Sequence, residues 1–158
     1  MDMNLLLDMA VVMLLAGVAW VDAKTMKIPD QFQFALGICG VLSAVCVSDP
    51  PMRERLIGMF CISIPMLLLC VLIPGAFGGG DVKLTFVMGL YLGWRALAVG
   101  VFLGILFGGV QATYLLRNKR ARASGQTHMA FGPALCTGFL LSMMWGESMV
   151  SWYLGLFY

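Results

Sequence analysis

Apolar residues run almost unbroken through six stretches of this chain, Leu5–Val21, Phe32–Val47, Leu56–Ile73, Leu84–Leu92, Ala96–Leu116 and Phe131–Tyr153, with charge, proline and glycine gathered between them. Most approach the roughly 20 apolar residues that a helix needs to cross about 30 Å of hydrocarbon. Runs that are apolar throughout, rather than alternating, read as helices that satisfy their own backbone groups in lipid. The pattern predicts an all-α fold, a polytopic membrane bundle of about six transmembrane helices. The fourth stretch is the shortest, stopping before Gly93-Trp94-Arg95. It can instead begin at Asp81 or run on with the fifth as a kinked pair.

Composition agrees with the pattern: 61% of the 158 residues are hydrophobic and 11% charged, against about a quarter charged in soluble domains. Six spans with short loops use up the length, so residues 1–158 are expected to form a single integral-membrane domain. The net charge of +2 gives no reason to expect nucleic acid as a partner. Where the basic residues fall matters more. Loops after the first, third and fifth stretches carry Lys24, Lys27, Lys83, Arg117, Lys119, Arg120 and Arg122; those after the second and fourth carry Arg53, Arg55 and Arg95. The positive-inside rule places the richer side in the cytoplasm and the N-terminus outside. Asp22 and Asp81 then share the cytoplasmic face. The first run is preceded by Asp2, interrupted by Asp8 and lacks Lys or Arg, so it reads as a retained span rather than a cleaved signal. Cys39, Cys46, Cys61, Cys70 and Cys136 lie inside apolar runs, with no CxxC pair and no histidine cluster. They read as small hydrophobic fillers, and no metal is expected.

An aspartate at a helix centre costs about 2.5–3.5 kcal/mol on insertion scales, so acids in such a chain usually have a function. Asp22 ends the first run and Asp81 follows Gly78-Gly79-Gly80. Two carboxylates within a few ångströms share one proton and titrate as a unit. The ionised member can take a proton from water while the protonated one hydrogen-bonds an amide carbonyl, which hydrolyses a peptide without a metal or organic cofactor. Glycines beside such a pair let a peptide approach closely. The triplet lacks the Gly-Lys-Ser/Thr ending of a phosphate loop. Plainer readings make Asp22 a loop acid past a helix end and Asp81 an N-cap. Another class of function, a proton-coupled transporter or channel subunit, would use the same acids as a relay.

Gly78-Gly79-Gly80-Asp81-Val82-Lys83-Leu84 resembles the GxGD signature of membrane aspartic proteases, in the form with lysine two residues on that is typical of type IV prepilin leader peptidases. Asp22 followed by Ile28-Pro29-Asp30 resembles that family's first block, and Phe131-Gly132-Pro133-Ala134 resembles a third, opening the last helix. The blocks stand in family order across nearly the whole chain. The resemblance implies an endopeptidase that removes the basic leader from type IV prepilins or pseudopilins at the cytoplasmic face of the bacterial inner membrane. It makes Asp22 and Asp81 the catalytic pair. Gly78, Gly79 and Gly80 would shape the approach of substrate, Lys83 would lie near the dyad, and Pro29, Asp30, Phe131, Gly132 and Pro133 would shape its surroundings. Asp30 stands where asparagine is usual, and Ala130 where proline precedes the third block. The short Asp22–Gln31 connection lacks the cysteine-bearing insertion of larger members. The likeness is therefore to the compact, protease-only branch found with Tad-type systems. Presenilin-type proteases share GxGD but place a Tyr-Asp pair deep in a helix, whereas Val21 precedes Asp22 here.

The remaining polar and small residues have simpler readings. The basic loop Arg117–Arg122 suits anionic lipid and topology, and His128 reads as a loop residue. Gly100, Gly104 and Gly108, like Gly89 and Gly93, repeat at the spacing of close helix contacts. Met143, Met144 and Met149 read as adaptable packing. Asp8 and Glu147 read as solvated ends at the outer surface.

Overall fold

The computed structural model describes residues 3–73, 77–117 and 130–155, and every regular element among them is a helix. In chain order these are α1 (Met3–Thr25), α2 (Asp30–Cys46), α3 (Met52–Cys61), α4 (Ser63–Leu72), α5 (Gly79–Arg117) and α6 (Gly132–Gly155). By length and composition α1, the α3–α4 unit and α5 are each long and apolar enough to cross a membrane. Helix α2 is a shorter apolar rod. The six apolar stretches thus all reappear as helix, in an all-α bundle.

Local chemistry explains the boundaries. Helix α1 ends where Met26 takes a left-handed conformation (φ 53°), and Pro29 in extended geometry starts α2 with Asp30 in its first turn. An acid there suits the positive end of the helix dipole. Helices α3 and α4 are separated only at Ile62. Pro65 removes a backbone donor and crowds the carbonyl of Cys61, which accounts for the break.

Helix α5 bears out the alternative in which the fourth stretch runs on with the fifth as a kinked pair: it begins at Gly79, ahead of both Leu84 and Asp81, and carries non-helical dihedrals at Gly93 (φ 73°, ψ 170°). A side chain at that φ would be strained, and glycine is not. The chain reverses there. Tyr91 donates to Asp8 near the start of α1 at 2.6 Å, and Ala96 accepts from Ser142 on α6. Farther on, Gly104 lies against Leu135 and Gly108 against Phe131. Because Phe131 and Gly132 sit beside Asp22 at the end of α1, the second half of α5 returns toward the end from which the first half departed. The fourth and fifth stretches therefore form a hairpin with a one-residue break.

The first half of α5 is the bundle's axis. Leu84, Thr85 and Met88 on it are fully buried, packed among Val11, Leu15 and Val18 of α1 and Leu36 of α2. Gly58 of α3 and Gly89 of α5 bring their helices into backbone contact. Gly100 and Gly104 do the same for α6, through Phe139, Gly138 and Leu135.

Arg55 overturns its reading as a loop charge. It lies within α3, 1% exposed, and its guanidinium donates to Leu90 O (2.9 Å), Tyr91 O (3.2 Å), Ser43 Oγ (3.1 Å) and Pro50 O (2.8 Å). Ser43 O and Val47 O complete the shell with Asp49 O. Four of these carbonyls stand at the negative C-terminal ends of α2 (Ser43, Val47) and of the first half of α5 (Leu90, Tyr91), and those of Asp49 and Pro50 lie in the connection after α2. One buried cation caps both. Asp8 is likewise more than a solvated end, since it accepts the Tyr91 hydroxyl. Cys39 and Cys136 are buried fillers as expected, while Cys46 and Cys61 face outward. Met143 packs against the core, but Met144 and Met149 are exposed. Lys119, Arg120, Arg122, His128 and the Glu147 side chain lie outside the described residues.

Candidate active site

Asp22 sits in the last helical turn of α1, 5% exposed, so it is not a loop acid. A carboxylate at a helix C-terminus faces the negative end of its own dipole. Helix α6 supplies the compensation: the Gly132 N–H, at its first residue, donates to Asp22 Oδ2 at 3.0 Å. A Cβ on Gly132 would run into that carboxylate, so the close approach requires glycine.

Asp81 is the third residue of α5, 6% exposed. Rather than capping the helix from outside, it reaches back and accepts the Gly78 N–H on Oδ2 at 3.1 Å. This is the reciprocal half of a capping box, satisfying one of the orphan donors of a helix start. Its own N–H bonds Gly78 O, and its carbonyl accepts Thr85 Oγ1 at 2.8 Å. Gln33 of α2, buried at 6%, donates to Gly80 O at 3.1 Å and braces the glycine segment. Sequence reasoning missed Gln33, for its partner is a backbone carbonyl 47 residues away. Ile28 packs on Gly80, where a Cβ would come within 3.1 Å of it.

The two aspartates face one cavity of about 380 Å³, walled by Met26–Ile28, Phe77–Gly80, Ala130 and Phe131. Phe77 and Phe131 pack their rings together, centroids 5.4 Å apart. The carboxylates lie within electrostatic reach of each other, and buried Cys136 of α6 lies within reach of both. Each acid is fixed through Oδ2 by a helix-start N–H, so two helix N-termini converge on the pair. Gly79 has open space on its Cβ side.

Other expected site residues divide. Gly78, Gly79, Gly80 and Phe131 line the cavity, Gly132 bonds Asp22, and Pro29 caps α2 beside it. Pro133 lines a separate outer hollow with Phe107 and Gln111. Lys83 does not turn to the dyad. Its Nζ pairs with Asp30 Oδ1 at 2.8 Å, both side chains largely exposed, at the mouth of a neighbouring groove. Among the described residues no group of three or more His, Cys, Asp or Glu side chains is disposed to hold a metal.

The model of the type IV leader peptidase family matches residues 9–113, a span that includes both aspartates and the glycine triplet. This chain belongs to the type IV leader peptidase family. Among curated relatives named prepilin leader peptidase/N-methyltransferase, that of Aeromonas salmonicida (strain A449) is 28% identical over 145 residues, covering 89% of this chain and 49% of the relative. That of Neisseria gonorrhoeae is 30% identical over 148 residues (89% and 50%), and that of Legionella pneumophila 37% over 79 residues (49% and 26%). The chain spans half or less of the length of these relatives. No solved structure matches it.

Proposed function

We propose that this member of the type IV leader peptidase family is a membrane aspartic endopeptidase that cuts the leader from type IV prepilins or pseudopilins. The observation carrying this reading is the convergence of Asp22 and Asp81 from two helices on one small cavity, each anchored through a single oxygen. The second oxygen of each acid is left for water and substrate. One carboxylate takes a proton from water, whose oxygen attacks the scissile carbonyl carbon while the protonated partner donates to the carbonyl oxygen. The tetrahedral gem-diol collapses as its C–N bond breaks: the amine leaves with the proton taken from water, and a gem-diol hydroxyl returns its proton to the other carboxylate, so that the pair again holds one proton. The helix N-termini favour the ionised member, and burial strengthens its interaction with the proton held opposite. Lys24, Lys27, Lys83 and Arg117 support placing this end at the cytoplasmic face of the bacterial inner membrane. The reaction proposed is peptide hydrolysis, and the short Asp22–Gln31 connection, which carries no cysteine, gives no support for methyl transfer.

Co-expression with a prepilin, followed by gel shift of the precursor, tests the reading. Asp22→Ala and Asp81→Ala are each expected to abolish processing at unchanged protein level. Processing that persists in either variant refutes the dyad. Aspartate-dependent proton flux in liposomes, with no cleavage by any variant, would replace the reading with proton-coupled transport.

A further inference from the structure

Among the described residues, Met26 alone has a positive φ (53°) without being glycine. A side chain in the left-handed region crowds its own backbone, so glycine or asparagine usually stands where a helix ends in this way. Glycine is used freely in the same site, at Gly78, Gly79 and Gly80. The turn after α1 nonetheless carries a methionine. Its backbone is tied down on both sides: the Met26 N–H donates to Asp22 O at 2.8 Å, and the Thr25 hydroxyl shares its proton between Val21 O (2.9 Å) and Lys27 O (3.0 Å).

What this bend secures is the place of a side chain. Met26 lines the dyad cavity together with Ile28, Phe77 and Phe131. Those three are packed against the hydrophobic core, and Ile28 also lies on Gly80. Met26 has no part in that core and is 47% exposed. It is therefore the large apolar group of the wall whose surface the protein itself leaves uncovered. Both carboxylates line the same cavity, so what Met26 covers is what the acids act on. An unbranched thioether is also the apolar side chain best able to fit surfaces of different shape.

On the reading that the chain cleaves a prepilin, we propose that Met26 is a substrate-contact residue, whose thioether folds over the peptide beside the scissile bond. A peptide bond open to attack lies in extended chain, where successive side chains point to opposite faces. One of them meets the Met26 wall while the carbonyl meets the acids. The contact buries apolar surface and moves no proton, so it contributes to binding rather than to the chemical step.

Glycine and asparagine both suit the left-handed region, so Met26→Gly and Met26→Asn remove the thioether while leaving the backbone free to keep its bend. Each is expected to raise the KM for prepilin about tenfold, with little change in kcat and no fall in unfolding temperature. Met26→Leu, which keeps the apolar bulk, should recover most of that loss. A photo-crosslinker at position 26 of the full chain in membranes should capture the prepilin, and one at exposed Met52, on α3 with Arg55, should not. Wild-type KM in both Met26→Gly and Met26→Asn overturns the contact. So does a loss confined to kcat or to stability, which would make Met26 a residue of the turn only, and so does capture of lipid alone from position 26. In each of those cases cleavage by the unaltered protein still upholds the peptidase. If the unaltered protein cleaves no prepilin, the peptidase reading falls and takes this one with it.

Discussion

The two ends of the bundle solve one electrostatic problem with opposite signs. At the dyad end, buried carboxylates are held by N–H groups at the starts of α5 and α6. At the other end, the buried Arg55 guanidinium is held by carbonyls at the ends of α2 and of the first half of α5. Each charge is matched to the helix terminus of complementary sign. The difference lies in what is left over. Arg55 is enclosed, with its donors directed into a shell of carbonyls and one hydroxyl, so it holds helices together. Asp22 and Asp81 each accept a backbone N–H on Oδ2 and line a cavity. The Arg55 end is closed within the protein, whereas the aspartate end opens on a cavity of about 380 Å³.

Substitutions can break or sharpen that contrast. The largest expected effect is at the dyad: Asp22→Asn and Asp81→Asn keep shape and the backbone contact, and should lower prepilin cleavage by on the order of 10²–10⁴-fold with thermal stability little changed. Arg55→Leu should act in the reverse sense, leaving several buried carbonyls without a donor and costing about 3 kcal/mol or more of stability. Cleavage per folded molecule should stay near normal. Unfolding in detergent, set beside activity normalised to folded protein, checks both. If Arg55→Leu lost activity without losing stability, the structural role of that end would be wrong.

Gly132→Ala tests whether the support for Asp22 comes from the helix start. The added methyl collides with the carboxylate, and a displacement of about 1 Å at a reacting group costs on the order of 10²-fold. The expected loss in kcat should exceed any change in unfolding temperature. The smallest effect belongs to Asp30→Asn, which breaks an exposed ion pair worth roughly 0–1 kcal/mol. Stability should be almost unmoved in an unfolding assay, in contrast to Arg55→Leu.

How much was legible beforehand follows from the range of each interaction. Apolar runs revealed all six helical stretches, because a helix in lipid depends on its own residues. The beginning of α5 was placed too late, since Gly79 and Gly80 are poor helix formers and only the bond from Gly78 to Asp81 shows why the helix starts there. Asp22, Asp81 and the glycine triplet stood out as unusual residues in an apolar chain. Gln33, Arg55 and the Asp8–Tyr91 bond did not, for their partners lie 12 to 83 residues away or belong to the backbone. Lys83 was expected beside the dyad and turns instead to Asp30, 53 residues away at the start of α2, a pairing that exists only once α2 packs on α5.

Hydropathy and residue type alone therefore determined that this chain is a bundle of apolar helices with two acids and a glycine-rich turn at one end. Both are local properties, set by the free energy of moving each segment out of water. Tertiary structure decided which helix ends meet which charges, that α5 doubles back at Gly93, and that the turn at Met26 lines the dyad cavity. Those outcomes depend on packing between segments far apart in the chain, where the nearest donor or acceptor is a backbone group whose position no residue name reveals.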